Sequence, residues 1–541
     1  MKKLAAFLSG ALLITGSAFA GGLLTKTNQS AQFVRMLSRN ASTDLDAVYF
    51  NPAGLTQLKD GFYFSLHNQT IFQTKTITSE FGQNSNPKMP LLYDKYTGDV
   101  KAPVFPSAFA VYKKNNWAFS AGFGPNAGGG SETYDNGLPS FEKQIARIVP
   151  KLSGLSALGY PVSNYSVDIS FEGTSVFWGI QGGATYKINK AISVYLGARY
   201  VPVVNTYNGS IANIKLGTAS ALQNGQTYLT SAAAAATTKS QATGAAATNL
   251  QKLVAAGAGT FTLAQVQGAG YITADQKAQF EAGLQQLGLT AAQISAMNVT
   301  TAQTTFATSS AYLAGTAATL NATAPGLADK NVDVKQTGGG VTPIIGVDIH
   351  LDKLNIGLKY EHMTIIGLTN KTVVDGTGLF PDGQKTNNDI PAIIAGGADY
   401  QVTDKLKVSG SFNVYMDKNV NWGKNVYLEE RTIDKNYVEL AFGAEYKLSD
   451  KFAISAGYLN SNTGVSEQYQ SDFSFSNDSY TTGLGFQWNM NERLVFDAGM
   501  MLTTYKDCTK TFTEAAPFGT YTETYAKDTF TVGFGIAYKI F

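Results

Sequence analysis

Few residues in this chain can do acid–base or metal chemistry. Its histidines are His67, His350 and His362, and its one cysteine is Cys508. No His-rich or Cys-x-x-Cys spacing offers a metal cage, and no Gly-x-Ser-x-Gly turn offers a nucleophile. The run Gly128-Gly129-Gly130 reads as a loop hinge rather than a nucleotide cradle. His350 and His362 flank a turn near Asp352, where a hydrolase would have a carboxylate beside a histidine. Ordinary packing at a membrane interface is the plainer reading of both. The expectation is a protein that is not an enzyme, with no cofactor and no metal.

The elements that would carry any such residues are announced first by the N-terminus. MKKLAAFLSGALLITGSAFA has a basic start, an apolar stretch from Leu4 to Ile14 and an Ala18-Phe19-Ala20 ending, so residues 1–20 read as a cleaved secretory signal. A single cysteine in an exported protein excludes an intrachain disulfide, and Cys508 is read as incidental rather than as a reactive thiol. Beyond residue 20 no run of about 18 apolar residues exists, which excludes helical membrane spanning. A formal charge of +2 over 541 residues lacks the basic bias of a nucleic-acid binder. The 28 Tyr, 31 Phe and 55 Gly instead suit barrel strands with aromatic girdles.

Alternation of period two dominates the chain. Leu406, Val408, Phe412, Val414 and Met416 alternate with Lys407, Ser409, Ser411 and Asn413. Val438, Leu440, Phe442, Ala444 and Tyr446 likewise alternate with Glu439, Glu445 and Lys447, so charges fall where a lumen would be. Similar runs occur at 191–200, 353–362, 451–458, 493–500 and 528–540. Short polar turns (113–116, 189–190, 352–353, 403–404, 449–450 and 489–491) interleave with long loops near 78–103, 124–165, 212–331, 367–387, 418–435, 461–471 and 507–525. About six turns and seven loops imply about fourteen strands, both termini periplasmic, in a closed antiparallel transmembrane barrel. The expected location is the bacterial outer membrane, with lipids, lipopolysaccharide and the assembly machinery as partners, and the expected state is a monomer. The barrel is expected over 61–541.

Residues 21–60 hold no alternating strand, yet Phe33, Val34, Met36, Leu37, Leu45, Val48, Tyr49, Phe50 and Leu55 are apolar, which suits a compact plug, or hatch, inside the barrel. A barrel of this strand number is wide enough to need filling or to conduct water. Within the plug, DLDAVYFNPAGLTQL (44–58), and above all Asn51-Pro52-Ala53 with Gly54, resembles the hatch signature of the FadL/TodX-like outer-membrane transporters of long-chain fatty acids and other hydrophobic compounds. TPIIGVDIHLDKLNIGLKYEHMTII (342–366) and DIPAIIAGGADYQVTDKLKV (389–408) resemble that family's later strand–turn–strand units. The family usually has small, glycine-rich residues before the hatch motif, where this chain has Phe33-Val34-Arg35-Met36-Leu37-Ser38-Arg39. Arg35 and Arg39, one helical turn apart, could bind a ligand carboxylate in the lumen. Pairing with Asp44, Asp46 or lumen carboxylates is the plainer reading.

The loop 124–165 contains PSFEKQIARIVPKLSGLSAL, with Ile145, Ile148, Val149 and Leu152 at helical spacing and Lys143, Arg147 and Lys151 on another stripe. This predicts an amphipathic helix, bent or stopped near Pro150. In the resembled family such loop helices form an apolar groove that first captures the ligand; packing on the barrel rim is the alternative. Residues 212–331 turn abruptly to Ala, Thr, Gln and Gly, and Thr273-Ala274-Asp275-Gln276 makes a capping box, so a largely helical extracellular insertion is expected. What the resemblance implies is passive uptake: loop capture, a lumen site, and plug movement. A surface adhesion protein acting through 212–331 and, more remotely, a barrel hydrolase are the alternatives.

Overall fold

The computed structural model describes residues 23–423 and 429–541. The signal expected at 1–20 lies outside them. One antiparallel sheet closes on itself. Its wall comprises β1 (Gly61–Ser79), β2 (Lys95–Lys114), β3 (Trp117–Tyr134), β4 (Asn164–Lys187), β5 (Ile192–Thr218), β6 (Lys330–Leu351) and β7 (Leu354–Glu361). It continues with β8 (Ile393–Gln401), β9 (Leu406–Tyr415), β10 (Tyr437–Lys447), β11 (Phe452–Asn462), β12 (Ser479–Asn489), β13 (Leu494–Tyr505) and β14 (Thr520–Lys539). Short strands at Ala221–Asn224, Gly367–Asp375, Lys385–Asn387 and Cys508–Thr513 extend the sheet. Pairing of β14 with β1, from Glu523↔Ser79 to Lys539↔Tyr63, leaves no free edge and closes a fourteen-stranded barrel.

The alternation read in the sequence sorts side chains as a membrane demands. Leu440, Phe442 and Tyr446 of β10 point outward and are exposed, while Glu439 and Glu445 face a buried interior. At the short-turn rim, Trp117 packs on Tyr186 at 4.7 Å between ring centroids and Phe452 stacks on Trp488 at 5.8 Å, an aromatic girdle. No described helix is long and apolar enough to cross a membrane; the strands do the crossing. This is the architecture of a bacterial outer-membrane protein. All six expected short turns join consecutive wall strands.

Several strands run further than the sequence suggested. β5 is 27 residues long and reaches Thr218, and β3 continues to Tyr134. Their outer ends, such as Asn205-Thr206-Tyr207-Asn208, are polar on both faces because they stand clear of lipid, so no apolar alternation marks them. Gly128 and Gly130 therefore sit inside β3, at a bulge, and not at a loop hinge.

Residues 145–168 and 212–329 form a compact unit of their own. Its long helices α4 (Gly225–Leu253) and α8 (Val299–Thr323) exchange hydrogen bonds through Ser240 and Ser310, each hydroxyl reaching the other's carbonyl at 2.8 Å. Between them, the short helices Leu263–Gly268, Ala274–Gln286 and Ala291–Ala296 each open with a Thr-x-x-Gln capping box, the expected Thr273–Gln276 among them. Leu250, Val266, Phe280, Leu284 and Phe306 belong to its core.

Candidate functional site

The plug is built from residues 23–60 and is buried almost throughout. Ser30 caps helix α1 (Ala31–Met36) by accepting from Phe33 N–H, and Leu37 ends it in the left-handed conformation at φ 63°. The helix lies so close to the wall that glycine is required there: a Cβ on Gly457 would stand 1.9 Å from the Met36 carbonyl oxygen, and one on Gly499 2.8 Å from Arg35 Cβ.

Both arginines are fully buried. Arg35 bonds Asp497 at 2.9 Å and Glu445 at 2.6 Å, from β13 and β10, and Gln32 donates to Asp497 at 2.7 Å. Arg39 makes a fork to Asp46, with bonds of 2.8 and 2.7 Å, and reaches Asp44 at 2.7 Å. The structure thus gives both guanidinium groups carboxylate partners.

The hatch motif sits at the junction of helix α2 (Ala47–Phe50) and a 3-10 turn, Pro52–Gln57, which Pro52 opens because its fixed φ and missing N–H suit a first turn. Asn51 Nδ2 donates to Ser42 O at 3.1 Å and to Asp348 Oδ1 of β6 at 2.7 Å. Asn355 of β7 donates to the same Asp348 oxygen at 2.7 Å and to Ala41 O at 3.0 Å. Thr185 of β4 donates to Pro52 O at 2.7 Å, and Ala53 packs with Tyr195 and Ile344. Gly54 allows this turn to close: a Cβ there would meet Asn51 Nδ2 at 2.6 Å. The motif is therefore a clamp between plug and wall.

At the other end of the plug the wall is interrupted. β2 and β3 pair from Lys114↔Trp117 to Ala108↔Phe123 and again from Lys101↔Ser131, leaving 102–107 and 124–130 without ladder bonds to each other. The cause is in the sequence: Pro103, Pro106 and Pro125 have no N–H to give, and β3 bulges twice against β4, at Pro125/Ala127 and Gly128/Gly130. The plug's first residues cover this break. Thr25 bridges Ala127, Lys26 N–H donates to Asn126 O at 2.9 Å, and Gln29 Nε2 donates to Pro125 O at 2.8 Å. Ser107 Oγ donates to Gln29 O at 2.5 Å. A cavity with room for about one water lies beside Gln29 and Tyr49, against Phe109, Gly124 and Arg199. Prolines inside otherwise strand-like runs were the missed signal.

Of the residues expected to capture a ligand, Lys143 lies on α3 (Pro139–Ala146), is buried, and pairs with Glu523 at 2.6 Å. Ile145, Val149 and Leu152 are buried, Arg147 and Ile148 are half-buried, and Lys151 is exposed. The helix ends at Ala146, and Pro150 falls in the first turn of a 3-10 segment, Val149–Leu158. His350 bonds Asn355 at 3.0 Å and His362 bonds Tyr360 at 2.9 Å. The hairpin separates them: His350 is opposite Asn355, whereas His362 N–H reaches Pro343 O. Among the described residues no group of three His, Cys, Asp or Glu could hold a metal.

A closed wall with an apolar exterior, filled by an N-terminal plug, defines the class as a plugged outer-membrane β-barrel. No family model matches the sequence, and no curated protein matches it. The fold is similar to that of a Pseudomonas aeruginosa FadL homologue, at 13% identity and a TM-score of 0.55, over 96% of this chain and 100% of that one. The toluene transporters TbuX of Ralstonia pickettii (15% identity, TM-score 0.44, 91% and 93% covered) and TodX of P. putida (11%, 0.46, 92% and 95%) also match. The chain shares the fold of the FadL homologue.

Proposed function

We propose that this protein is a passive channel for hydrophobic molecules, with long-chain fatty acids as its ligands. What carries the reading is the break between β2 and β3, covered from inside by plug residues 25–29. A lipopolysaccharide leaflet is a poor solvent for apolar solutes, and a water-filled pore excludes them. A gap in the wall beside a lumen lets an apolar solute leave into the membrane without crossing water. In this reading the hatch motif anchors the plug, Arg35 and Arg39 serve that anchorage, and the N-terminal segment 25–29 alone moves aside. Ligand capture falls to segment 145–158, where Arg147, Ile148 and Lys151 are the expected capture residues still reachable from solvent.

The test is uptake of a labelled long-chain fatty acid by a Gram-negative strain lacking its own transporter. Expression of this protein is expected to restore uptake, and the Asn51→Ala, Pro52→Ala double variant to abolish it at equal surface level. Failure of the intact, inserted protein to restore uptake sinks the fatty-acid assignment. A second reading, adhesion through the helical insertion, is favoured by that unit's separate core. Deleting 217–330 leaves uptake largely intact if the channel reading holds, whereas loss of surface attachment alone supports adhesion.

A further inference from the structure

The helical unit contains a cleft for which the channel reading has no use. It opens between α4 and the helix Ala274–Gln286 and holds about 630 Å³, within the roughly 300–1,000 Å³ of small-molecule sites. Helical spacing builds its two walls. Gln276, Gln279, Gly283 and Gln286 recur three or four residues apart on the shorter helix, and Ala242, Ala246, Asn249 and Leu253 do so on α4. Beneath them Ile272, Phe280, Phe306 and Leu313 are buried and make an apolar floor.

The rim is made of amides. Asn249, Gln279 and Gln286 are exposed, and among the described residues the two glutamine side chains make no hydrogen bond. Gln276 Oε1 accepts from Thr273 N–H at 2.9 Å, which leaves its own N–H groups to face the cleft. A primary amide carries donors and an acceptor at one end, and a hydroxyl, being both donor and acceptor, is its complement. Tyr271, 49% exposed, adds an aromatic ring to the same lining. Lys239 and Lys252 also line the cleft and no carboxylate does, so a cationic ligand would find no counter-charge. A wholly apolar solute would cover these amides without pairing them, at a penalty for each. A sugar ring instead presents hydroxyls at its edge and C–H groups on its face.

We propose that this cleft binds an oligosaccharide, neutral or acidic, with hydroxyls on the amides of Asn249, Gln276, Gln279 and Gln286 and a ring face against Tyr271. The inference goes beyond the channel reading, and failure of either leaves the other standing. The insertion joins β5 to β6 at their long-loop ends, the side that the outer-membrane reading turns toward surface glycans.

The test is binding of the purified, detergent-solubilised full chain to an array of neutral, sialylated and sulfated oligosaccharides, followed by titration of the best-bound one in solution. The Gln279→Ala, Gln286→Ala double variant is expected to lose on the order of ten-fold or more in affinity, as the loss of two hydrogen bonds implies. Tyr271→Ala is expected to weaken binding as well, whereas Gln285→Ala, on the same helix but outside the cleft, leaves it unchanged. The replaced side chains are exposed, and helical circular dichroism checks that each variant stays folded. Binding of no oligosaccharide on the array by the intact protein, or an affinity that survives the double glutamine variant, overturns the site. Fatty-acid uptake is measured separately and is expected to be unchanged in every variant.

Discussion

The two ends of the plug are held in different ways. Residues 30–57 are tied to the wall by buried charge: Arg35 to Asp497 and Glu445, and Asn51 to Asp348. The contacts of residues 25–29 with the wall include one bridge and the neutral hydrogen bonds of Gln29, Ser107 and the Asn28–Gln69 pair, whose two bonds measure 2.9 and 2.6 Å. Breaking a buried ion pair on one side costs roughly 3–5 kcal/mol, whereas a neutral hydrogen bond contributes only about 0.5–1.5 kcal/mol. A plug so built is expected to release residues 25–29 before its body. A gate that opens a gap in the wall without opening a pore for water needs this asymmetry.

The largest predicted effect breaks the firm end. Arg35→Ala leaves Asp497 and Glu445 buried without their cation, costing roughly 3–5 kcal/mol, and is expected to loosen the plug body and raise ion conductance in planar bilayers. Unchanged conductance would mean that the plug is held by something other than this network. Next, Gly457→Val drives a side chain into the Met36 carbonyl and is expected to cost about 1–3 kcal/mol, seen as faster proteolysis within residues 30–57.

The firm end was only half legible in the sequence. Glu445 reads as a lumen residue from its alternation with Ala444 and Tyr446, and Asn51-Pro52-Ala53 stands out as a motif. Which carboxylate Arg35 meets depends on how strands more than 400 residues downstream are placed around the plug, and no local pattern encodes that. The wall's turns were legible because short polar pairs such as Asp352-Lys353 interrupt clear alternation. The break between β2 and β3 was not, since its prolines and glycines resemble a loop until register shows them inside strands.

Smaller effects sharpen the contrast at the weak end. Gln29→Ala removes the bond to Pro125 O and is expected to cost about 1 kcal/mol. Hydrogen exchange should speed up over residues 25–29 and stay unchanged over 47–57; equal acceleration of both would show that the plug moves as one body. Smallest is Thr273→Ala, which deletes a capping box in the helical unit at a cost of about 1 kcal/mol. It is expected to lower that unit's melting temperature and leave uptake unchanged.

The most direct test locks the weak end shut. Thr25 and Ala127 are antiparallel bridge partners, whose Cα atoms are typically about 4.5–5.5 Å apart, within the range of about 4.4–6.8 Å that a disulfide spans. In a Cys508→Ser background, the Thr25→Cys, Ala127→Cys double variant is compared for fatty-acid uptake before and after reduction. Blocked uptake that reductant restores is the predicted result and makes the N-terminal segment 25–29 the gate. Uptake at the wild-type rate with the disulfide formed would contradict it.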